Sequence, residues 1–495
     1  MRLVVDGMHL PAPSDARALV IAGERIAWVG RDPDDAPPAD TTVELPGAWL
    51  TPGLVDAHVH ATASGLAYGG LDLQAATSAG DVVARLRAFA ATHDDDPVIG
   101  GGWQEHGWPV PAPPTADELA AAAPGRVVLL DRVDVHSCLV DPTTLALVVR
   151  ESDDGVDQGP DHRPTGWLRE RAAQRARRLV WARLPAARQA RARRALVARA
   201  VELGVTSVHE MGHPGLSSLA DAQHWAHGDW PIEVLVWWAD IDAEVALAHG
   251  LRPGGDLFLD GAIGSRTAAV SGGYRDGPDL GGLFHDDEEV RTFFARCTRA
   301  GVGGGVHAIG DRAIEQAVRA IEAVAEDAGA AVVRACRHRI EHVELPRPDH
   351  AARMAHLGIV VSAQPAFDAH WGGDVGMYAQ RFGAAAALHS NPFDHFLAAG
   401  CRMAFSSDTP VTPMAPLHGI VAATAHRGGH GIDPASALAA ATTGGRHVVH
   451  QDDVGVLRAG HRADLALWDG DPLARGGPAT CLGIAVRGQI TLRST

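Results

Sequence analysis

His58 and His60 stand two residues apart at the end of an apolar run, Leu54–His60. In an extended chain such neighbours point to the same side, so both imidazoles address one region of space. Three other apolar runs end in the same way: Gly304-Gly305-Val306-His307, Arg339-Ile340-Glu341-His342 and Phe405-Ser406-Ser407-Asp408. Among 27 histidines a lone strand-end His says little, but four strand ends carrying five such groups in order say more. Four imidazoles and one carboxylate suit Zn²⁺, with a coordination position left for water. Nitrogen-rich ligation favours Zn²⁺ over Mg²⁺ or Ca²⁺ and admits other divalent transition metals. Such an ion lowers the pKa of bound water and polarises a carbonyl. Asp408 is then the expected general base, taking a proton from water and passing it to the leaving group. With a single ion held by His58, His60, His307 and Asp408, His342 is left to bond the water or the developing oxyanion.

These residues need rigid elements to bring them together. Eight apolar runs read as strands: Leu54–His60, Val205–Glu210, Ile232–Ala239, Asp256–Asp260, Gly303–His307, Arg339–His342, Ile359–Gln364 and Met403–Ser407. Helical Ala/Arg- and Ala/Glu-rich stretches alternate with most of them. The expected fold class is therefore α/β, a (β/α)8 TIM barrel with its chemistry at the C-terminal strand ends. A doubly wound sheet is the competing architecture, but no Gly-rich phosphate loop opens a helix. Residues from about 65 to 180 read as an insertion after the first barrel strand, with a strand-like run at Val127–Leu130. Residues 1–52 and 451–495 are short, β-like and turn-rich, Val454–Leu457 included. They are expected to build one small β-sandwich from both termini, flanking a barrel over 53–450.

The run Leu50–His60 (LTPGLVDAHVH) resembles the opening motif of the amidohydrolase superfamily. Asp260–Ala268 (DGAIGSRTA), Val306–Ala313 (VHAIGDRA), Arg339–His342 (RIEH) and Ser406–Val411 (SSDTPV) are similar to its YtcJ-like branch, which includes N-substituted formamide deformylases. Gly455–Leu465 (GVLRAGHRADL) is similar to the family's closing strand motif, so the likeness runs from about residue 1 to 475. It implies a TIM barrel with a terminal β-sandwich, and His58, His60, His307, His342 and Asp408 as metal ligands. One position departs from the pattern. The branch usually carries, before Leu-Phe-x-Asp-Gly, a lysine whose carboxylated amine bridges two metals; here that place is Asp256, and the chain contains no lysine. The expectation is one firmly held ion, with two ions bridged by Asp256, or less readily by Glu210, as the alternative.

Substrate contacts are expected from Trp103 and His136 in the insertion, with Glu105 and Trp108 nearby, and from Arg266 beside Asp260. A guanidinium there could hold a carboxylate, or simply pair with a neighbouring Asp, and Trp103 and Trp108 could equally be core residues. Asp311 and Arg312 read as a helix cap and ion pair. The function expected is hydrolysis of a non-peptide amide or formamide of a small molecule. Deamination of an amino-substituted ring is the alternative, weakened because Asp311 is the nearest carboxylate after His307, and a non-catalytic scaffold is the third reading. The net charge of −17 argues against nucleic acid or an anionic membrane surface as partner, and Arg169–Arg194 reads as a solvated helical face. Five scattered cysteines and the lack of a signal peptide or long apolar run fit a cytoplasmic protein; a homodimer is the base-rate assembly.

Overall fold

In the computed structural model, which describes residues 1–9, 15–94, 96–474 and 479–492, the chain starts with four strands. These are β1 (Arg2–Met8), β2 (Ala18–Ala22), β3 (Arg25–Gly30) and β4 (Thr42–Pro52). One residue later begins β5 (Leu54–Val59), buried along its whole length. Six strands then form a separate sheet: β6 (Leu71–Asp72), β7 (Val98–Trp103), β8 (Val128–Arg132), β9 (Ser137–Val140), β10 (Val156–Gln158) and β11 (Pro164–Arg169). Their order is β10-β11-β9-β8-β7-β6. This sheet has its own apolar core, which includes Leu73, Val82, Leu86, Trp103, Leu119 and Leu130.

The remaining middle strands lie in two parallel four-stranded sheets. β12 (Val205–Gly212), β13 (Glu233–Trp238) and β14 (Arg252–Pro253) join β5 in the order β14-β13-β12-β5. β15 (Gly305–Ala308), β16 (Arg339–His342), β17 (Val360–Ala363) and β18 (Arg402–Phe405) make the other. Single parallel bridges, Val59 to Thr409 and Phe258 to His307, connect the two sheets. Amphipathic helices follow the strands; Asp287–Arg299 starts at a capping box of Asp286 and Glu289, and Asp311–Ala328 buries Ile314, Val318 and Ile321. Strand order and helix alternation are those of a TIM-barrel-type fold.

The fourth expected strand is displaced. Pairing occurs at Arg252–Pro253, and of Asp256–Asp260 only Phe258 makes a bridge. Gly254 and Gly255, at φ +76° and +79°, turn the chain out of the extended conformation between the two. A Cβ on Gly254 would lie 2.0 Å from the Gly305 carbonyl oxygen, so the close approach to β15 also requires glycine.

The chain ends in β19 (Leu465–Trp468), β20 (Cys481–Val486) and β21 (Gln489–Leu492). β19 pairs antiparallel with β4, so strands from both termini join in one seven-stranded hydrogen-bonded order, β21-β20-β19-β4-β1-β2-β3. Val454–Leu457 is not a strand, because Gly455 at φ +84° breaks it. The five cysteines are buried and form no disulfide, and no helix among the described residues is long and apolar enough to cross a membrane.

Glu233, at the start of β13, fastens this terminal sheet to the parallel strands. Its Oε2 accepts from Arg446 and from Arg462 at 2.8 Å, and Oε1 from Gln451 at 2.9 Å and Arg487 at 3.4 Å. Burial opposes its charge, but Arg446 and Arg462 prevail and bring the carboxyl down to about 2. A depressed carboxyl pKa stabilises the fold above the unfolded value near 4.5, and that stability disappears as pH falls towards 2. Glu233→Gln is expected to cost about 1–3 kcal/mol at neutral pH, because Arg446 and Arg462 lose one of their two carboxylate partners and keep only Asp464. The gap from wild type in urea unfolding should narrow steadily below pH 4.5.

Candidate metal centre

β5 delivers His58 and His60 to the strand-end rim, and the backbone N–H groups of Asp408 and His60 bond to His58 O and Thr409 O, both at 2.9 Å. Asp56 reinforces that join: its carboxylate accepts from the Ser407 N–H at 2.9 Å and hydroxyl at 2.6 Å. His307 ends β15, His342 ends β16, and Asp256 follows the Gly254-Gly255 turn. All six side chains are buried.

Three imidazoles are held by Nδ1 so that Nε2 faces inward. His58 Nδ1 donates to Glu341 Oε2 at 2.8 Å, His60 Nδ1 to Met211 O at 3.1 Å, and His342 Nδ1 to Gln364 Oε1 at 2.8 Å. Such partners fix the tautomer and make the other nitrogen a better ligand. Inside, Asp408 Oδ1 lies 3.3 Å from both His58 Nε2 and His60 Nε2. Asp256 faces both sides of the cluster: Oδ2 is 3.4 Å from His60 Nε2, while Oδ1 is 3.2 Å from His307 Nδ1 and 3.6 Å from His342 Nε2. Three ligand groups result, each with donor atoms within 4.8 Å of one another: His58, His342 and Asp408; His58, His60 and Asp256; Asp256, His307 and His342.

Whether these residues fit a metal can be judged from their unsatisfied atoms. His58 Nε2, His342 Nε2 and Asp408 Oδ1 are buried without a hydrogen-bond partner of suitable geometry. Buried polar atoms are ordinarily paired, because an orphan forfeits its hydration. Lone pairs converging from nitrogen and oxygen are what a divalent transition metal coordinates, so the residues fit. The electrostatics agree. Burial alone would raise the two carboxyls, yet the imidazoles, His58 foremost, hold Asp256 and Asp408 well below the usual carboxylate range. Burial likewise disfavours charge on His58, but Asp408 and Asp256 outweigh it and raise its pKa well above the ordinary value. Two of the residues also sit in backbone conformations that non-glycine residues rarely adopt, His342 at φ +72° and Asp408 at φ +56°, as is common where surrounding structure enforces a functional geometry.

The other residues singled out from the sequence separate into two groups. His136 lines the cavity over the cluster, with Nδ1 donating to Glu170 at 3.0 Å and its ring stacked on Phe258. Burial opposes its charge, but Glu170 lifts its pKa to about 9. Trp103 does not reach the cavity: it is fully buried in the insertion, where Nε1 donates to Leu130 O at 2.9 Å and the ring packs against Trp108 and Trp167. Trp108 belongs to the same core, and Glu105 is held by Arg132. Arg266 turns away to Asp276, at 2.9 and 3.1 Å, and is not in the cavity wall. Asp260 accepts from the N–H groups of Ala269, Ile309 and Gly310, pinning its loop to the end of β15. Asp311 bonds Ser271 and Arg347, and Glu210 accepts from Ala61 N–H and is in none of the three ligand groups.

Glu341 and Gln364 are functional residues that the reading of strand ends missed. A signal for Glu341 was present, since a carboxylate inside an otherwise apolar strand must be paired. Glu341→Gln, which replaces the charged partner of His58, is expected to weaken metal affinity by about 10–100-fold. Competition against a chromophoric chelator would measure this.

The family model described as "Amidohydrolase family" matches residues 41–491. YtcJ of Bacillus subtilis (strain 168), named as an amidohydrolase, is 28% identical over 88% of this chain and 87% of its own. An N-substituted formamide deformylase of Arthrobacter pascens is 24% identical over 93% of this chain and 91% of its own. The crystal structure of a metal-dependent hydrolase from Pyrococcus furiosus superposes with a TM-score of 0.75 at 25% identity, covering 96% of this chain and all of that one. A buried cluster of imidazoles and carboxylates at the strand ends and a family match over nearly the whole sequence lead to one conclusion: this chain belongs to the amidohydrolase family and is a metal-dependent hydrolase.

Proposed function

We propose that the protein hydrolyses a carbon–nitrogen bond of a small molecule, a non-peptide amide or formamide, at the rim of a closed (β/α)8 barrel capped by the insertion of residues 65–180. The observation that carries this reading is the orphaned, buried Asp408 Oδ1 facing two imidazoles at 3.3 Å. The likeness to an N-substituted formamide deformylase supports the choice of bond.

His58, His60 and Asp408 would hold one divalent ion, and His307 and His342 a second, with Asp256 shared between them. The expectation from sequence was a single ion; the placement of one Asp256 oxygen towards each side supports two. Bound there, Zn²⁺ or a similar ion acidifies water and polarises the scissile carbonyl. Asp408 accepts a proton from the attacking water and returns it to the departing nitrogen. His342 acts as a ligand, because its Nδ1–H is committed to Gln364 and its Nε2 presents a lone pair. His136 contacts the substrate from the cavity wall.

The cavity also constrains what is bound. Its two arginines are already neutralised, Arg132 by Glu105 and Asp134 and Arg177 by Asp131. Phe258, Phe367, Trp371 and Met377 give the wall large apolar surfaces, beside the polar Gln104, Gln174 and Glu344. An uncharged substrate with an apolar substituent matches such walls better than a carboxylate-bearing one. The test is a screen of the zinc-loaded enzyme over N-acyl amines and aminoazines, detecting free amine, formate and ammonia. Amine released with an acid supports the proposal; ammonia released from aminoazines alone would replace it with deamination.

A further inference from the structure

A second group of imidazoles gathers outside the cavity, where three segments meet. His389 follows helix Ala384–Leu388, Asp394 and His395 lie in the first turn of helix Phe393–Ala399, and His430 is on the loop after helix Pro416–Thr424. Asp394 Oδ1 accepts from His430 Nδ1 at 3.0 Å and from the His395 backbone N–H at 2.8 Å. Its position is thereby fixed from two directions, while Oδ2 makes no hydrogen bond among the described residues. The His395 and His430 ring centroids are 4.8 Å apart, and His389 is 5.4 Å from His430. His389 donates Nδ1–H to Ala385 O at 2.7 Å, so its Nε2 presents a lone pair.

We propose that Asp394, His395 and His430, with His389 in reach as a fourth ligand, form a peripheral site for a Zn²⁺-class transition metal. One donor atom from each of the first three already lies within 4.8 Å of the others. Tetrahedral coordination at 2.0–2.2 Å sets ligand atoms roughly 3.4 Å apart. Asp394 and His430 are already at 3.0 Å, and His395, within 4.8 Å of both, is exposed and needs at most about 1.4 Å of movement, which a side-chain rotation supplies. An ion between His430 Nδ1 and Asp394 Oδ1 would take the place of the proton they share; imidazole-rich donors select Zn²⁺, Ni²⁺ or Cu²⁺ over Mg²⁺ and Ca²⁺. A third candidate group, Glu315, Asp349 and His350, differs in kind: the Arg353 guanidinium fills it, bonding Glu315 and Asp349 at 2.8 Å.

The position gives such an ion a consequence. On the same loop as His430, the Arg427 N–H donates to Asp368 Oδ2 at 2.9 Å and its guanidinium to Gly372 O at 3.2 Å. Asp368 belongs to helix Pro365–Trp371, which carries Phe367 and Trp371 into the cavity wall. An ion joining His430 to Asp394 and His395 clamps the loop that braces this wall.

Equilibrium dialysis of the metal-loaded full chain against micromolar Zn²⁺, compared with a His395→Ala/His430→Ala double variant, tests the proposal. Wild type should bind one equivalent more than the variant and gain a zinc-dependent rise in melting temperature that the variant lacks. Equal zinc content in the two overturns the site. Because His430 also positions Asp394, the single variant His395→Ala, at an exposed position, gives a second measurement. It should weaken that equivalent by at least about tenfold, and unchanged affinity likewise overturns the proposal.

Discussion

Asp408→Asn is expected to lower kcat by about 10³–10⁴-fold, the upper range for loss of a general base, while the protein stays folded. The substitution keeps the side chain's shape, and the bond that fastens this segment to β5 is made by the Asp408 backbone N–H and so survives. What it removes is the oxygen that can hold a proton, and one of the two carboxylates drawing positive charge to His58 and His60. Metal content should be measured on the same preparation, because loss of a ligand also lowers kcat. A variant that retains wild-type metal and more than a tenth of the activity would take the base role from Asp408.

The second large effect is expected at Asp256. Asp256→Ala should reduce tightly bound zinc from two ions per chain to one and cut kcat/KM by at least about 100-fold, a loss on the scale of disrupting a metal's ligand environment. The reason is position. An aspartate is too short to reach far, but the Gly254-Gly255 turn carries its backbone to the centre of the cluster, so that Oδ2 faces His60 while Oδ1 faces His307, His342 and, at 3.8 Å, His58. Anomalous scattering at the zinc edge decides the matter: one full site in wild type would refute the sharing of Asp256 between two ions.

Five of the six clustered side chains were legible in the sequence because each is a local event, a His or Asp at the end of an apolar strand; Asp256, after a glycine turn, was found only by its place in the motif. His58 and His60 share a face by strand geometry alone. Partners that come from distant strands were not legible. Nothing local tells that Glu341 on β16 will hold His58 on β5, or that Gln364 will set the tautomer of His342. The fourth strand was misplaced because Leu257–Leu259 has strand-like composition while its pairing is decided by two glycines and the approach of β15. Trp103 and Arg266 failed for a simpler reason: an indole needs a core and a guanidinium needs a carboxylate, and in both cases one stood nearer than the cavity.

The joining of β4 to β19 has a bearing on how the chain is made. About 400 residues separate the two strands. At 5–20 residues per second a ribosome takes roughly 20–80 s to supply β19 after β4 has emerged. Throughout that interval the nascent chain can pair β4 with β1 on one side only, leaving the other side open to strands of neighbouring polypeptides. Pro52 lies in the stretch Trp49–Pro52 that β19 will cover and has no N–H to offer, so that stretch is a poorer template for a foreign strand until β19 is synthesised.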